Sequence, residues 1–331
     1  MTPVPTGRTT LLTAGLTGLG GLGWATSRAR GRTRRTAADI AELDPQTQAR
    51  EIVWLLSTHE FPWDLETALS FALFRTYASP DIAVVLDATG EFGHRARKRY
   101  DDTELVMAWM ARDGLDGRLG RTALRRMNAM HAAFELDPVD LHYVLTTFIC
   151  EPLRWIERWG WRPLTDAEVA ASLRWYLDLG RHMGLRDLSE DLADHDAFNR
   201  AYEAERFRYH PANRRVAQAS VDMFLQAHLP APVHPAGEVA IRALLDPPLL
   251  AAFGWEPAPP AVVTAVHAAL RARAWVQRTL VPERRTPHDL TRVDRPTYPT
   301  GHRVEQLGTF PTEADRARVA SAREDLDGHR T

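Results

Sequence analysis

Cysteine is almost missing: Cys150 is the only one in 331 residues. One thiol cannot build an intramolecular disulfide framework, a Cys-rich zinc site or an iron–sulfur cluster held by this chain alone, and Cys150 reads as a small buried hydrophobe. A charge surplus is missing too. The formal net charge is −2, which argues against nucleic acid as the main partner. Phosphate binding rests on a concentrated basic surface, and the one concentrated basic run is Arg28 to Arg35 near the N-terminus. No glycine-rich phosphate loop, dinucleotide fingerprint or serine-hydrolase elbow occurs. His59-Glu60 lacks the second histidine of a zincin and runs into Pro62. A carboxylate-bridged di-iron bundle needs two Glu-x-x-His pairs, and only Glu91-Phe92-Gly93-His94 is present, with Gly90 and Gly93 making it a loop.

Long hydrophobic runs are scarce. Residues 9–27 are free of charge and about long enough to span hydrocarbon as a helix, but glycines and threonines dilute their leucines. The arginines at 28, 30, 32, 34 and 35 outnumber Arg8 before the stretch. By the positive-inside rule they place the downstream domain on the cytoplasmic face. They oppose a cleaved signal peptide, and Arg34-Arg35 follows the apolar stretch instead of preceding it, which opposes a twin-arginine signal. Residues 1–36 are therefore a candidate membrane anchor and basic linker, with a disordered leader as the alternative.

Beyond Thr36 the periodicity is helical. The spacing of Leu65, Leu69, Ala72 and Leu73 predicts a helix over 64–76. Asp137-Pro138 is a cap and first-position pair for a helix running toward Trp159, with a kink at Pro152. Thr165-Asp166-Ala167-Glu168 is a capping box opening a helix that ends near Gly184. Segments near 216–228, 238–245 and 261–279 repeat the pattern between proline-rich links. No alternating strand and helix units appear. The fold class is all-α, one multi-helix bundle over 37–300, with an extended arm after about 284 and a charged, solvated tail over 301–331.

What is there is concentrated in residues 120–172. Leu124, Met127, His131 and Phe134 recur at helical spacing, so the His131 imidazole points into an apolar surface and needs a partner. That partner is a backbone carbonyl in a core reading, or a metal ion in a functional one. Upstream, Asp101 and Glu104 read as a capping box ahead of 105–110, which would put Thr103 in a first helical turn and Arg99 in the approach to it.

The blocks Phe71-Ala72-Leu73-Phe74-Arg75-Thr76-Tyr77, Arg99-Tyr100-Asp101-Asp102-Thr103-Glu104, Arg125-Arg126-Met127-Asn128-Ala129-Met130-His131 and Glu151-Pro152-Leu153-Arg154-Trp155-Ile156-Glu157-Arg158 occur in this order. In them the chain resembles the MpaB oxygenase family, distantly related to the latex-clearing rubber oxygenases. The resemblance covers most of 46–284, including residues 209–213 and Pro259-Pro260. It implies a haem b oxygenase with His131 as proximal ligand, and Arg99 and Thr103 as the Arg-x-x-x-Thr pair lining the oxygen-binding side. Where the latex-clearing branch carries a distal lysine, this sequence has Asp102, so a lysine-ligated iron is not expected. The chain has no Cys-x-x-Cys-His, so the haem would be noncovalent. Arg125 and Arg126, close to His131, are the propionate candidates.

The implied chemistry is oxidative cleavage of a carbon–carbon double bond in a lipophilic, isoprenoid-like substrate by dioxygen. The alternative, from another class, is a non-catalytic helical protein at the membrane that binds lipid or haem, or serves as a scaffold. Arg154, Trp155, Glu157, Arg158, Trp159 and Trp161 could cradle a porphyrin edge, but their one-turn spacing favours a structural helix with an aromatic and a charged face. His142 could supply a second ligand. His182 reads as a favourable charge at a helix C-terminus, and His94 and His210 as surface. Glu66, Asp87 and Glu91 are the candidate bases.

Overall fold

The computed structural model describes residues 35–282 and 284–328. All regular structure in them is helical, with no strand. The candidate membrane segment lies outside the described residues.

Helix α1 covers 35–41. It is followed by α2 (Ala49–Leu55), which passes into a π turn at Leu56–Glu60, then α3 (Pro62–Thr76), α4 (Pro80–Ala88), α5 (Glu91–Asp113), α6 (Arg118–Ala132) and α7 (Pro138–Trp159). Then come α8 (Asp166–His182), α9 (Leu192–Arg206), α10 (Pro211–His228), α11 (His234–Arg242), α12 (Pro247–Phe253), α13 (Pro260–Thr279) and α14 (Glu313–Gly328). Helix α3 lies along α7, α5 along α6 and α2 along α8, while α10 packs on α4 and α5.

Several boundaries follow from local chemistry. Asp137 accepts the Val139 N–H at 2.8 Å and Pro138 opens α7, filling a position whose N–H would have no helical partner. The capping box at Thr165 and Glu168 is complete. Helix α7 runs through Pro152 and buries Leu145, Ile149, Trp155 and Ile156. Cys150 is buried, and burial pushes its thiol up to about 11, as expected of a packing residue.

Three expectations need correcting. Glu91-Phe92-Gly93-His94 is the first turn of α5 and not a loop. Asp101 and Glu104 do not open a helix. The backbone leaves helical geometry at Arg95 (φ −141°, ψ 37°), just after the turn that holds Glu91 and His94, and is helical beyond it, so residues 99–104 lie well inside α5. Their carboxylates are taken by residues far along the chain, and so are not available to cap. The C-terminal helix is not simply solvated: α14 packs on α4 and buries Val319 and Leu326 among Ala83, Val84 and Val85.

Among the described residues no single helix is long and apolar enough to cross a membrane. The α3–α4 pair reaches the length only together and is bent by 98°. Ala68, Ala72, Phe74, Ala83 and Val84 of that pair are buried in the protein's own core.

Candidate functional site

Between α3, α4, α5, α6, α7 and α10 lies a cavity of about 620 Å³, within the ~300–1,000 Å³ typical of small-molecule sites. Its walls are mainly apolar. Phe71, Phe74, Phe92, Phe134, Phe148 and Trp155 contribute rings, and Met107, Met127, Met130, Met183 and Met223 contribute flexible thioethers that can adapt to a ligand's shape.

His131 reaches this cavity from α6, on the same side as Met127 and Phe134. Burial, with a smaller contribution from the Arg99 charge, lowers its pKa to about 4. The imidazole is therefore neutral at pH 7, and its ring nitrogens have no hydrogen-bond partner among the described residues.

Arg99 and Thr103 sit one turn apart on α5, and both line the cavity. They lie along a helix face, not beside a terminus. The Arg99 guanidinium donates to Thr103 Oγ1, which itself donates to the Arg99 carbonyl at 2.9 Å. The Phe92 ring centre lies 6.0 Å from the guanidinium carbon, and the Arg99 charge also acts on Tyr77 and His131. Arg99 has no carboxylate within ion-pair distance among the described residues, although most arginines around it do. A half-buried cation without a counter-ion is poised for an anionic or strongly polar partner.

The other expected residues lie elsewhere. Arg125 is exposed and reaches only Thr122. Arg126 turns to the C-terminal arm, donating to the carbonyls of Leu307 (2.8 Å) and Thr309 (2.9 Å) beneath the Phe310 ring. Neither lines the cavity. His142 stacks on Phe198 at 4.2 Å beside His195, outside the cavity. His182 bonds the Asp178 carbonyl at a helix end, and His210 caps α10. The Glu151 to Trp161 run is structural apart from Trp155: Arg154 is held by Glu151 and Asp196, each at 2.5 Å, and Trp161 by the Glu60 carbonyl. Of the candidate bases, Glu66 and Glu91 line the cavity, whereas Asp87 pairs with Arg215 at 2.6 Å outside it.

The extended arm was expected after about residue 284, but not its contacts with α5 and the cavity. Arg295 binds Asp101 at 2.9 Å and also Glu104, and Thr297 binds Asp101 at 2.5 Å. Asp102, where the latex-clearing branch has its lysine, accepts from Tyr298 and, at 2.5 Å, from Lys98, the chain's only lysine. These contacts lay Gly308 and Thr309 into the cavity wall. Gly308 has φ +83°, and a β-carbon there would come within 2.2 Å of Met130 Sδ. The only local signal was the run of acidic residues 101, 102 and 104 in a helix that buries two of them. Tyr298→Phe is expected to cost about 1.5–3 kcal/mol, the worth of a hydrogen bond to a charged group. It should lower the urea midpoint and speed amide exchange over 298–309, and unchanged exchange would show that Tyr298 does not hold the arm.

A family model described as "ER-bound oxygenase mpaB/B'/Rubber oxygenase, catalytic domain" matches residues 65–278, from α3 to the end of α13 and short of the arm. The chain is similar to the ER-bound oxygenase mpaB' of Penicillium brevicompactum, 28% identical over 270 residues, covering 76% of this chain and 63% of that one. It is similar to mpaB of the same organism, 28% identical over 218 residues (60% and 55%), and to mpaB of Penicillium roqueforti, 28% identical over 205 residues (56% and 68%). The chain thus spans under two thirds of the length of the first two relatives.

Proposed function

The chain belongs to the mpaB and rubber oxygenase catalytic-domain family, and from that premise we propose that it is a haem b-dependent oxygenase acting on a lipophilic alkene. The observation that carries this reading is the pairing of a neutral, unpartnered His131 with a counter-ion-free Arg99 on one apolar cavity. Among the described residues no three His, Cys, Asp or Glu side chains converge as a metal site would require. An iron held by His131 must therefore bring its other ligands with it, as a porphyrin does.

In this reading His131 would hold the iron through its neutral nitrogen, and haem would supply dioxygen activation. Arg99 would offer its guanidinium N–H groups to an oxygen-derived negative charge, and Thr103 would hold that guanidinium in place, able to donate itself only by releasing the Arg99 carbonyl. Arg125 does not line the cavity and could meet a propionate only outside it, and Arg126 could serve one only by leaving the arm carbonyls. The apolar walls would exclude water and hold the alkene, and Glu66, Asp81, Glu91, Asp102 and Asp140 are the carboxylates on hand to move a proton. Cleaving C=C with one dioxygen gives two carbonyls, so the balance closes without an outside reductant. The relatives are named ER-bound, which supports membrane association through residues 9–27, with the domain on the cytoplasmic face.

The test is the absorption spectrum and pyridine haemochrome of the full chain expressed with ample haem, followed by oxygen uptake and carbonyl trapping with lipophilic alkenes. A Soret band and aldehyde or ketone products are expected. A folded, haem-supplied protein without the band would overturn the reading and favour the non-catalytic helical protein. Arg99→Met is expected to keep the band and lose about a hundredfold in turnover, as removing one preorganised donor does. Undiminished turnover would remove Arg99 from the mechanism.

A further inference from the structure

Helix α13 is the one long helix among the described residues of which no residue is buried. Its inner side touches the protein at a few points. Leu270 lines the cavity and packs with the Trp155 and Trp159 cluster, His267 meets Trp159 at 4.8 Å, and Arg273 pairs with Asp64 at 2.9 Å while lying 3.7 Å from the Trp63 ring.

The outer side is unusual in kind. Ala261, Ala265, Ala268 and Ala272 follow one another at helical spacing and are exposed, continuing into Trp275 (60% exposed) and Val276 (39%). Arg271 and Arg278 flank this stripe and are also exposed, Arg271 with its guanidinium carbon 5.7 Å from the Trp159 ring centre. No carboxylate occurs from Pro257 to Pro282. A solvent-facing helix ordinarily shows charge on its outer side. This one shows an apolar stripe, an indole at its end and cations alone at its flank, the pattern of a helix lying in a membrane interface.

We propose that the outer face of α13 docks on an anionic bilayer surface, with Trp275 and Val276 entering the interface and Arg271 and Arg278 pairing with lipid phosphates. The charges select lipid over a second copy of the chain, because a two-fold contact would set these arginines against one another with no carboxylate on the helix to receive them. Leu270, on the opposite side of the helix, keeps its place over the cavity, and the docking surface stands on α13 alone, independent of the function proposed above.

The test attaches an environment-sensitive nitrobenzoxadiazole label to Ala268→Cys in the full chain, Cys150 being buried. On vesicles containing phosphatidylglycerol its emission should shift to the blue, and on pure phosphatidylcholine it should not. Arg271→Gln and Arg278→Gln should each raise the lipid needed for the same shift by roughly fivefold. An unshifted label while the chain sediments with the vesicles would overturn the proposal. So would an equal shift on phosphatidylcholine, or a concentration-dependent shift without lipid accompanied by a doubled mass in light scattering. Failure here leaves the Soret band untouched, so it is separable from failure of the oxygenase reading.

Discussion

His131→Ala is expected to weaken haem retention by about a hundredfold or more and to abolish alkene cleavage, with added imidazole restoring the Soret band. Changing the outer partners of a metal ligand costs ~10–100-fold, so deleting the ligand itself costs at least as much. The other histidine on the cavity, His228, is exposed at the end of α10 and bonded to the Phe224 carbonyl at 2.9 Å. His228→Ala should therefore retain the band, and loss of the band in that variant with survival in His131→Ala would reassign the ligand. The fold should tolerate the change at 131, since the imidazole has no hydrogen-bond partner to lose. It should even gain at low pH in haem-free protein. Burial lowers the His131 pKa to about 4, below the usual ~6.5. The unfolded chain then binds a proton before the folded one, and the parent loses stability as pH falls from ~6.5 toward 4. That loss is about 3 kcal/mol and should be absent in the alanine variant, as urea melts at pH 7 and pH 4 would show.

Arg75→Ala should be the most destabilising single change in the domain, by about 3–5 kcal/mol. The guanidinium is largely buried, its side chain 11% exposed. It binds both oxygens of Glu203 at 2.8 and 2.5 Å, Asp246 at 2.6 Å and Glu151 at 3.7 Å. These acids come from α9, from the α12 cap and from α7, so one side chain on α3 neutralises three others. Tyr143 adds its hydroxyl to Glu203 at 3.1 Å. Without Arg75 the Glu203 carboxylate, 12% exposed, has no cation left among the described residues, whereas Glu151 keeps Arg154 and Asp246 is 40% exposed. An unpaired buried charge costs more than the pairing energy itself. A melting temperature lower by on the order of 10 °C is expected. Arg75→Lys should recover only part of it, because an ammonium cannot make the two-pronged contact with Glu203. A variant that melts with the parent would show that the network contributes no stability.

The His131 face was legible because helical spacing is local. Leu124, Met127, His131 and Phe134 lie within three turns, and whatever places one places the others. The caps at Asp137 and Thr165 were legible for the same reason, since an N-cap is satisfied by N–H groups two or three residues away. The reading of Asp101 and Glu104 failed on this point. Their spacing fits a cap, but Arg295 and Thr297, which bind them, lie 194 and 196 positions from Asp101. Arg125 and Arg126 are adjacent in sequence and close to His131, yet one points to solvent and the other to the arm.

By itself the sequence determined the helical class, the main helix boundaries, the family resemblance and the histidine with an apolar face. It also showed that a carboxylate stands at 102. Tertiary structure alone decided that an arm outside the family-matched region lends Gly308 and Thr309 to the cavity wall, that Asp102 is held by Lys98 and Tyr298, and that Arg99 has no carboxylate partner among the described residues. Helix propensity and capping act over about four residues. A cavity and its unpaired charge are defined by which distant groups arrive and which do not, and local spacing carries no information about either.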